Sequence, residues 1–135
     1  MKNTEDSIKG IEQGRASFAY KKVLEAKDEL KGEEAKYKAY VKKIPMYIKT
    51  NGLGPTFAFV KSKDKEKAYR LIYKQTGEWL KRDANFLDGQ GELIEQIINL
   101  DSASYRCVTN EVLALFNWLR RFSEGTIKGE VEDEI

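Results

Sequence analysis

Both prolines of the chain, Pro45 and Pro55, fall in one stretch, Val41–Lys63, which reads VKKIPMYIKTNGLGPTFAFVKSK. Proline has no amide hydrogen and its ring crowds the preceding turn, so no long straight helix is expected through both positions. The same 23 residues hold five lysines, two of the ten glycines and two apolar runs, so the stretch reads as a folded joint and not as a basic tail. One helix is expected to end at Asn51-Gly52, where glycine suits a left-handed backbone. Another is expected to begin at Pro55, whose missing N–H costs nothing in a first helical turn. We therefore expect a basic, hydrogen-bonding corner, held by a helical body made from the rest of the chain.

The flanking patterns are helical throughout. The first helix should start near Thr4 or Asp6 and run to about Leu30, with Ile8, Ile11, Phe18, Ala19, Val23, Ala26 and Leu30 at helical spacing. Lys31-Gly32 breaks it, and Glu33-Glu34 open a second helix whose apolar face is Tyr37, Tyr40, Val41, Ile44 and Ile48. Pro45 lies inside this helix and predicts a kink or restart. A short third helix spans Pro55 to about Lys61, with Phe57, Ala58 and Val60 apolar. A fourth covers about Glu66 to Arg82, interrupted by Gly77. After a loop at Asp88-Gly89-Gln90-Gly91, a fifth helix covers Glu92 to Asn99. The last is capped by Asp101 or Ser102 and carries Tyr105, Val108, Val112, Leu115, Phe116, Leu119 and Phe122 through to Glu124-Gly125. No segment alternates with period two. The fold class is all-α: a compact orthogonal cluster of five to six helices of unequal length, in a single domain. That domain is expected over residues 1–125, followed by a fraying acidic tail at 126–135.

Charge gives the first functional signal. From Lys36 to Arg82 there are 13 Lys/Arg against three acids (Asp64, Glu66, Glu78), an excess of ten. From Glu124 to Ile135 five acids stand against Lys128 alone. The basic excess is either a solvated helical face or the footprint of a polyanion partner. Lys42 and Lys49, two turns apart on one side of the second helix, could follow a backbone of regular charges. The single cysteine rules out an internal disulfide, the N-terminal MKNTEDSIKG lacks the apolar centre of a signal peptide, and no apolar run approaches the length of a spanning helix. A reducing cytoplasm fits these features.

Several chemistries are disfavoured. The chain has no histidine, which removes the commonest general base, the Ser-His and Cys-His pairs, and His-based metal sites. GxxxxGK[ST], GxGxxG, CxxC and EF-hand patterns are absent, so no metal or cofactor is expected. The NGLG cluster precedes a helix N-terminus, which can bind phosphate, but on its own it reads more simply as a cap and tight turn. Cys107 reads as a small buried hydrophobe, and Trp79 and Trp118 as core or core edge. Tyr20, Tyr47, Tyr69 and Tyr73 read as core-rim residues with hydroxyls in water, or as stacking platforms for bases. Arg15 sits on the apolar stripe of the first helix and has two readings: a core-edge arginine paired with a carboxylate, or a phosphate contact.

Two blocks carry a resemblance. VKKIPMYIKTNGLGPTFAFVKSK and YRCVTNEVLALFNWLRRFSEG, in that order, resemble the signature segments of the small-subunit family of type III-B CRISPR effector (Cmr, or RAMP module) complexes. The first helix, with Arg15-Ala16, is consistent with that family. The stretch between Arg82 and Tyr105 and the acidic tail carry little of the resemblance.

The resemblance implies a small all-helical subunit without enzymatic activity in RNA-guided antiviral defense. Copies of it would stack in a filament beside the backbone subunits and line the guide–target RNA duplex. The implied partners are the other subunits of the ribonucleoprotein (backbone and large subunits, further copies of itself) and guide and target RNA, with no membrane. Carried over residue by residue, the implied nucleic-acid-facing positions are Lys42, Lys43, Lys49, Asn51 and Lys61, with Arg15 and Lys63 following. Lysine is a point charge suited to phosphate contacts without sequence information, which agrees with a subunit that must accept any target. The alternative is a pure protein–protein scaffold, in which the lysines meet acidic surfaces of neighbouring subunits.

Overall fold

The computed structural model describes residues 4–129, with side chains from residue 10 onward. It contains α1 (Thr4–Glu29), α2 (Glu34–Asn51), α3 (Leu53–Ser62), α4 (Lys67–Glu78), a π-helical turn (Trp79–Asp83), α5 (Leu93–Ile98) and α6 (Ser102–Thr126). Among the described residues there is no strand, and the fold is the all-α single domain expected. The expected core position Ile8 lies outside the described side chains, and tail residues 130–135 lie outside the described residues.

The periodicities translate directly into burial. α1 and α2 both pack along α6, while α3 packs on α2, α4 and α5. One core joins Ala19, Val23 and Ala26 of α1, Tyr37, Val41, Ile44 and Ile48 of α2, and Val112, Leu115, Phe116 and Leu119 of α6. Leu53, Phe57 and Val60 seat α3 in the same core, and Leu93 and Ile97 seat α5. α6 starts where the sequence places a cap: the Asp101 carboxylate accepts from the Ser104 amide at 2.8 Å. The helix runs to Thr126, and Ile127 just beyond it is only 2% exposed.

Local differences from the sequence reading have physical causes. α2 continues without interruption through Pro45, because Ile44 and Ile48 on either side are both locked in the core. Helix α4 ends at Glu78, just after Gly77, and the chain widens into a π turn, with the Ala84 amide bonding the Trp79 carbonyl at 2.7 Å. Cys107, read as buried, is exposed; its neighbour Val108 takes the core position. Ile11, read as core, is half exposed and borders a cleft between α1 and the π turn.

Two buried polar links hold the helices in register. The Tyr37 hydroxyl donates to Gln75 Oε1 at 2.7 Å, and Gln75 Nε2 donates to the Lys22 carbonyl at 2.9 Å, tying α2, α4 and α1. The second centres on Glu111 of α6, 5% exposed. Arg15 of α1 grips it with both arms of its fork, Nε to Oε2 at 2.9 Å and Nη2 to Oε1 at 2.8 Å, and Trp79 Nε1 donates to Oε2 at 2.7 Å. Glu12 also bonds Arg15, and accepts from Trp118 Nε1. The bond to Glu111 foremost raises the Arg15 pKa, so the guanidinium stays charged.

Removing one partner of a buried ion pair leaves an uncompensated charge. Glu111→Ala is expected to destabilise the fold by about 3–5 kcal/mol. Glu12→Ala, which removes an exposed partner, is expected to cost under about 1 kcal/mol. Urea unfolding midpoints of the two variants check the ranking.

Candidate nucleic-acid interface

The expected corner is built by the end of α2, the Gly52 joint and α3. Gly52 has φ +93° and ψ 162°, a backbone that glycine alone adopts without strain, and this lets α3 begin at Leu53 with Pro55 inside its first turn. The free amide of Gly54 at the α3 N-terminus is taken by the Tyr105 hydroxyl of α6, at 2.8 Å. A Cβ at Gly54 would stand 3.4 Å from that hydroxyl, at the edge of ordinary van der Waals contact, so the approach itself does not demand a glycine there. The structure thus gives the cap-and-turn reading of NGLG, with Tyr105 as a capping partner that the sequence reading missed. Its only signal was the position of Tyr105 at the head of the second resembling block.

The seven candidate residues do not share one surface. Lys42 and Lys49 are exposed on one row of α2, which Lys38 heads. Among the described residues no ion pair engages Lys42 or Lys49. Lys43 is half-buried and lies one turn before Tyr47, which lies one turn before Asn51, a second row on the same helix. This second row leads to a pocket of about 330 Å³ lined by Tyr47, Asn51, Pro55, Thr56 and Phe59. The Lys63 ammonium lies 5.6 Å from the centre of the ring of Phe59, one of the residues lining that pocket.

Lys61 and Arg15 face elsewhere. Lys61 pairs with Glu92 at 3.3 Å and lies 5.1 Å from the centre of the Tyr73 ring, toward α4 and α5. Of the two readings of Arg15, the structure shows the carboxylate pair, with its guanidinium held by Glu111 and Glu12.

The tyrosines divide in the same way. Tyr69 is buried, stacked on Tyr40 with ring centres 3.9 Å apart, and Phe59 meets it edge-on at 5.7 Å. Tyr47 meets Phe59 edge-on at 6.2 Å, so an aromatic column backs the lysines. The Tyr73 hydroxyl is engaged within the chain: it donates to Glu92 and accepts from the Ile94 amide at 3.0 Å. Burial first, and then the Glu92 carboxylate, push its pKa up. Tyr20 is exposed beside Phe122, on α1 and α6. Within the corner, Met46 is 63% and Phe59 40% exposed, an unusual display of apolar area among lysines.

A larger cleft, about 940 Å³, lies away from these lysines between α1 and the π turn, lined by Gly14, Phe18, Trp79 and Phe86 with charges of both signs. Among the described residues no group of three or more acidic or cysteine side chains is placed to hold a metal ion. No described helix is long and apolar enough to cross a membrane.

Three comparisons place this architecture. The sequence model of the family described as "CRISPR-associated protein (Cas_Cmr5)" matches residues 11–126. The chain is 34% identical over 114 residues to "CRISPR system Cmr subunit Cmr5" of Thermus thermophilus, covering 84% of this chain and 92% of that protein. It also superposes on the crystal structure of a CRISPR-associated Cmr5 family protein from Thermus thermophilus, with a TM-score of 0.74 and 28% identity, over 87% of this chain and 97% of the other.

The Glu92–Lys61 contact carries a pH signature. The Tyr73 hydroxyl first, and Lys61 after it, hold the Glu92 carboxyl below its usual range. A carboxyl lowered in the folded state contributes stability above its unfolded value, about 4.3, and loses it as pH falls through the folded value. Wild type is therefore expected to lose more stability than Glu92→Gln between about pH 5 and pH 3. Parallel thermal melts of the two proteins across that range check the difference.

Proposed function

This chain belongs to the Cmr5 family of CRISPR-associated proteins, and from that membership we propose that it serves as the non-catalytic small subunit of a type III-B Cmr effector complex. In this reading it acts in the cytoplasm, in RNA-guided antiviral defense. Copies stack beside the backbone subunits, and the α2–α3 corner lies along the guide–target RNA duplex. The observation that carries the RNA contact is the outward row of Lys42 and Lys49 on α2. Lys43, Asn51 and Lys63 extend it around the Phe59 pocket.

The chemistry of the corner supports a sequence-indifferent contact. Ammonium groups two helical turns apart stand roughly 10 Å from each other along the axis, a spacing that a phosphate backbone can match. Point charges follow phosphates without reading bases. Lys61 sits beside Glu92, so its charge is partly neutralised within the chain and it contributes to the face only at the margin. Arg15 holds α1 to α6, and so supports the helices that carry the face. The lack of histidine supports the non-catalytic reading.

A second reading, a protein–protein scaffold, is favoured by one observation: Met46 and Phe59 expose apolar area beside the lysines, as the anchor residues of a protein interface do. One experiment separates the two readings. Lys42, Lys43 and Lys49 are changed together to alanine, and RNA binding of the assembled complex is measured across salt. The RNA reading expects affinity to fall about tenfold or more, and the slope of log K against log salt to become shallower by roughly 2 to 3 units. Unchanged affinity and slope, with weakened assembly, would replace it with the scaffold.

A further inference from the structure

We propose that the pocket between α2 and α3 takes one unstacked nucleobase of the RNA strand. This rests on the preceding reading that RNA lies along the corner, and deepens it: the lysines hold the strand's charge, and the pocket holds one of its bases.

The site is written into the sequence at a spacing of four. Lys43, Tyr47, Asn51, Pro55, Phe59 and Lys63 recur every four residues across the joint. Within each helix that spacing keeps side chains on one side. In one continuous helix Tyr47 and Phe59 would stand roughly 18 Å apart along the axis. The joint at Gly52 instead folds α3 against α2 and brings their ring centres to 6.2 Å. Asn51, Pro55 and Thr56 complete the lining. Lys43 follows one turn before Tyr47 on α2, and Lys63 four residues after Phe59 at the end of α3.

Shape and chemistry point to the same occupant. The opening of about 330 Å³ falls within the range of small-molecule sites, about 300–1,000 Å³. The two ring planes cross at 78°. A flat heterocycle can lie on one ring and meet the other edge-on, the two arrangements that aromatic rings favour. Every base has such a face, so the contact tolerates any sequence. The Asn51 side chain is exposed, and its amide offers a donor and an acceptor to a base edge. Thr56 is 3% exposed, and its hydroxyl oxygen has no hydrogen-bond partner. A polar edge is therefore better matched to this lining than the aliphatic or phenyl anchor of a protein partner. The Lys63 ammonium, 5.6 Å from the centre of the Phe59 ring, favours an occupant that carries phosphate.

Photo-cross-linking of the assembled complex to RNA containing 5-iodouridine, mapped by mass spectrometry, tests the proposal. The expected result is base links to Tyr47 or Phe59. Links elsewhere in the chain with none at these two rings would overturn it. Phe59→Leu keeps apolar bulk but removes the flat face. This variant is expected to bind RNA roughly fivefold or more weakly, with an unchanged slope of log K against log salt, and Phe59→Trp to restore binding. Equal affinity of Phe59→Leu and wild type would overturn the base pocket while leaving RNA on the lysines, whose joint substitution changes the slope. Unchanged affinity with weakened assembly would give the pocket to a protein side chain. Loss of RNA binding with neither the Phe59 nor the lysine substitutions would remove both readings. Uridine monophosphate titrated alone is expected to bind at least about a hundredfold more weakly than RNA, because it lacks the neighbouring contacts. Equal affinity would make the occupant a free nucleotide and overturn the assignment to the strand.

Discussion

A carboxylate shut away from water sets the geometry on which this fold depends. Glu111 is surrounded by core, and an ionised group there is tolerated only if its oxygens are met by donors. Arg15 and Trp79 meet them from two different elements, one oxygen taking a guanidinium arm and the other taking both the second arm and the indole. Apolar burial is non-directional and specifies the register of α1 on α6 less sharply than a paired charge does. A bidentate fork has one register. The widened turn at Trp79–Asp83 belongs to the same constraint, since it sets the indole between Phe18, at 4.9 Å between ring centres, and Glu111. With α6 fixed in this way, α2 has a defined bed and the lysine corner a defined direction.

How much of this was legible in the sequence follows from the range of each interaction. Helices that bury a stripe announce themselves by spacing, so α2 and α6 were readable nearly residue by residue. The Asp101 cap was readable because a cap acts over three residues. The partner of Arg15 lies 96 residues away, and that of Gly54 lies 51 away; no local pattern can name them. Arg15 on an apolar stripe did show that something had to neutralise it, which is why a carboxylate was one of its two readings. Cys107 and Val108 show a finer limit. With 3.6 residues per turn, adjacent positions at the edge of a stripe differ in burial by a rotation that only the packing partner decides. Pro45 shows the converse, where tertiary packing of Ile44 and Ile48 carries one helix through a proline at which a kink or restart was expected.

The basic excess between Lys36 and Arg82 was legible as a count but not as a surface. The structure divides it. Lys36 faces Glu33, Lys61 faces Glu92, and Arg82 lies between Glu78 and Asp83. Lys38 is turned onto main-chain carbonyls. What is left to act outward is divided between Lys42 and Lys49, lined up on α2, and Lys63, Lys65, Lys67 and Lys74, from the end of α3 into α4. A sum over the sequence treats these lysines as equal. The chemistry of an interface depends on which of them still lack an acidic neighbour.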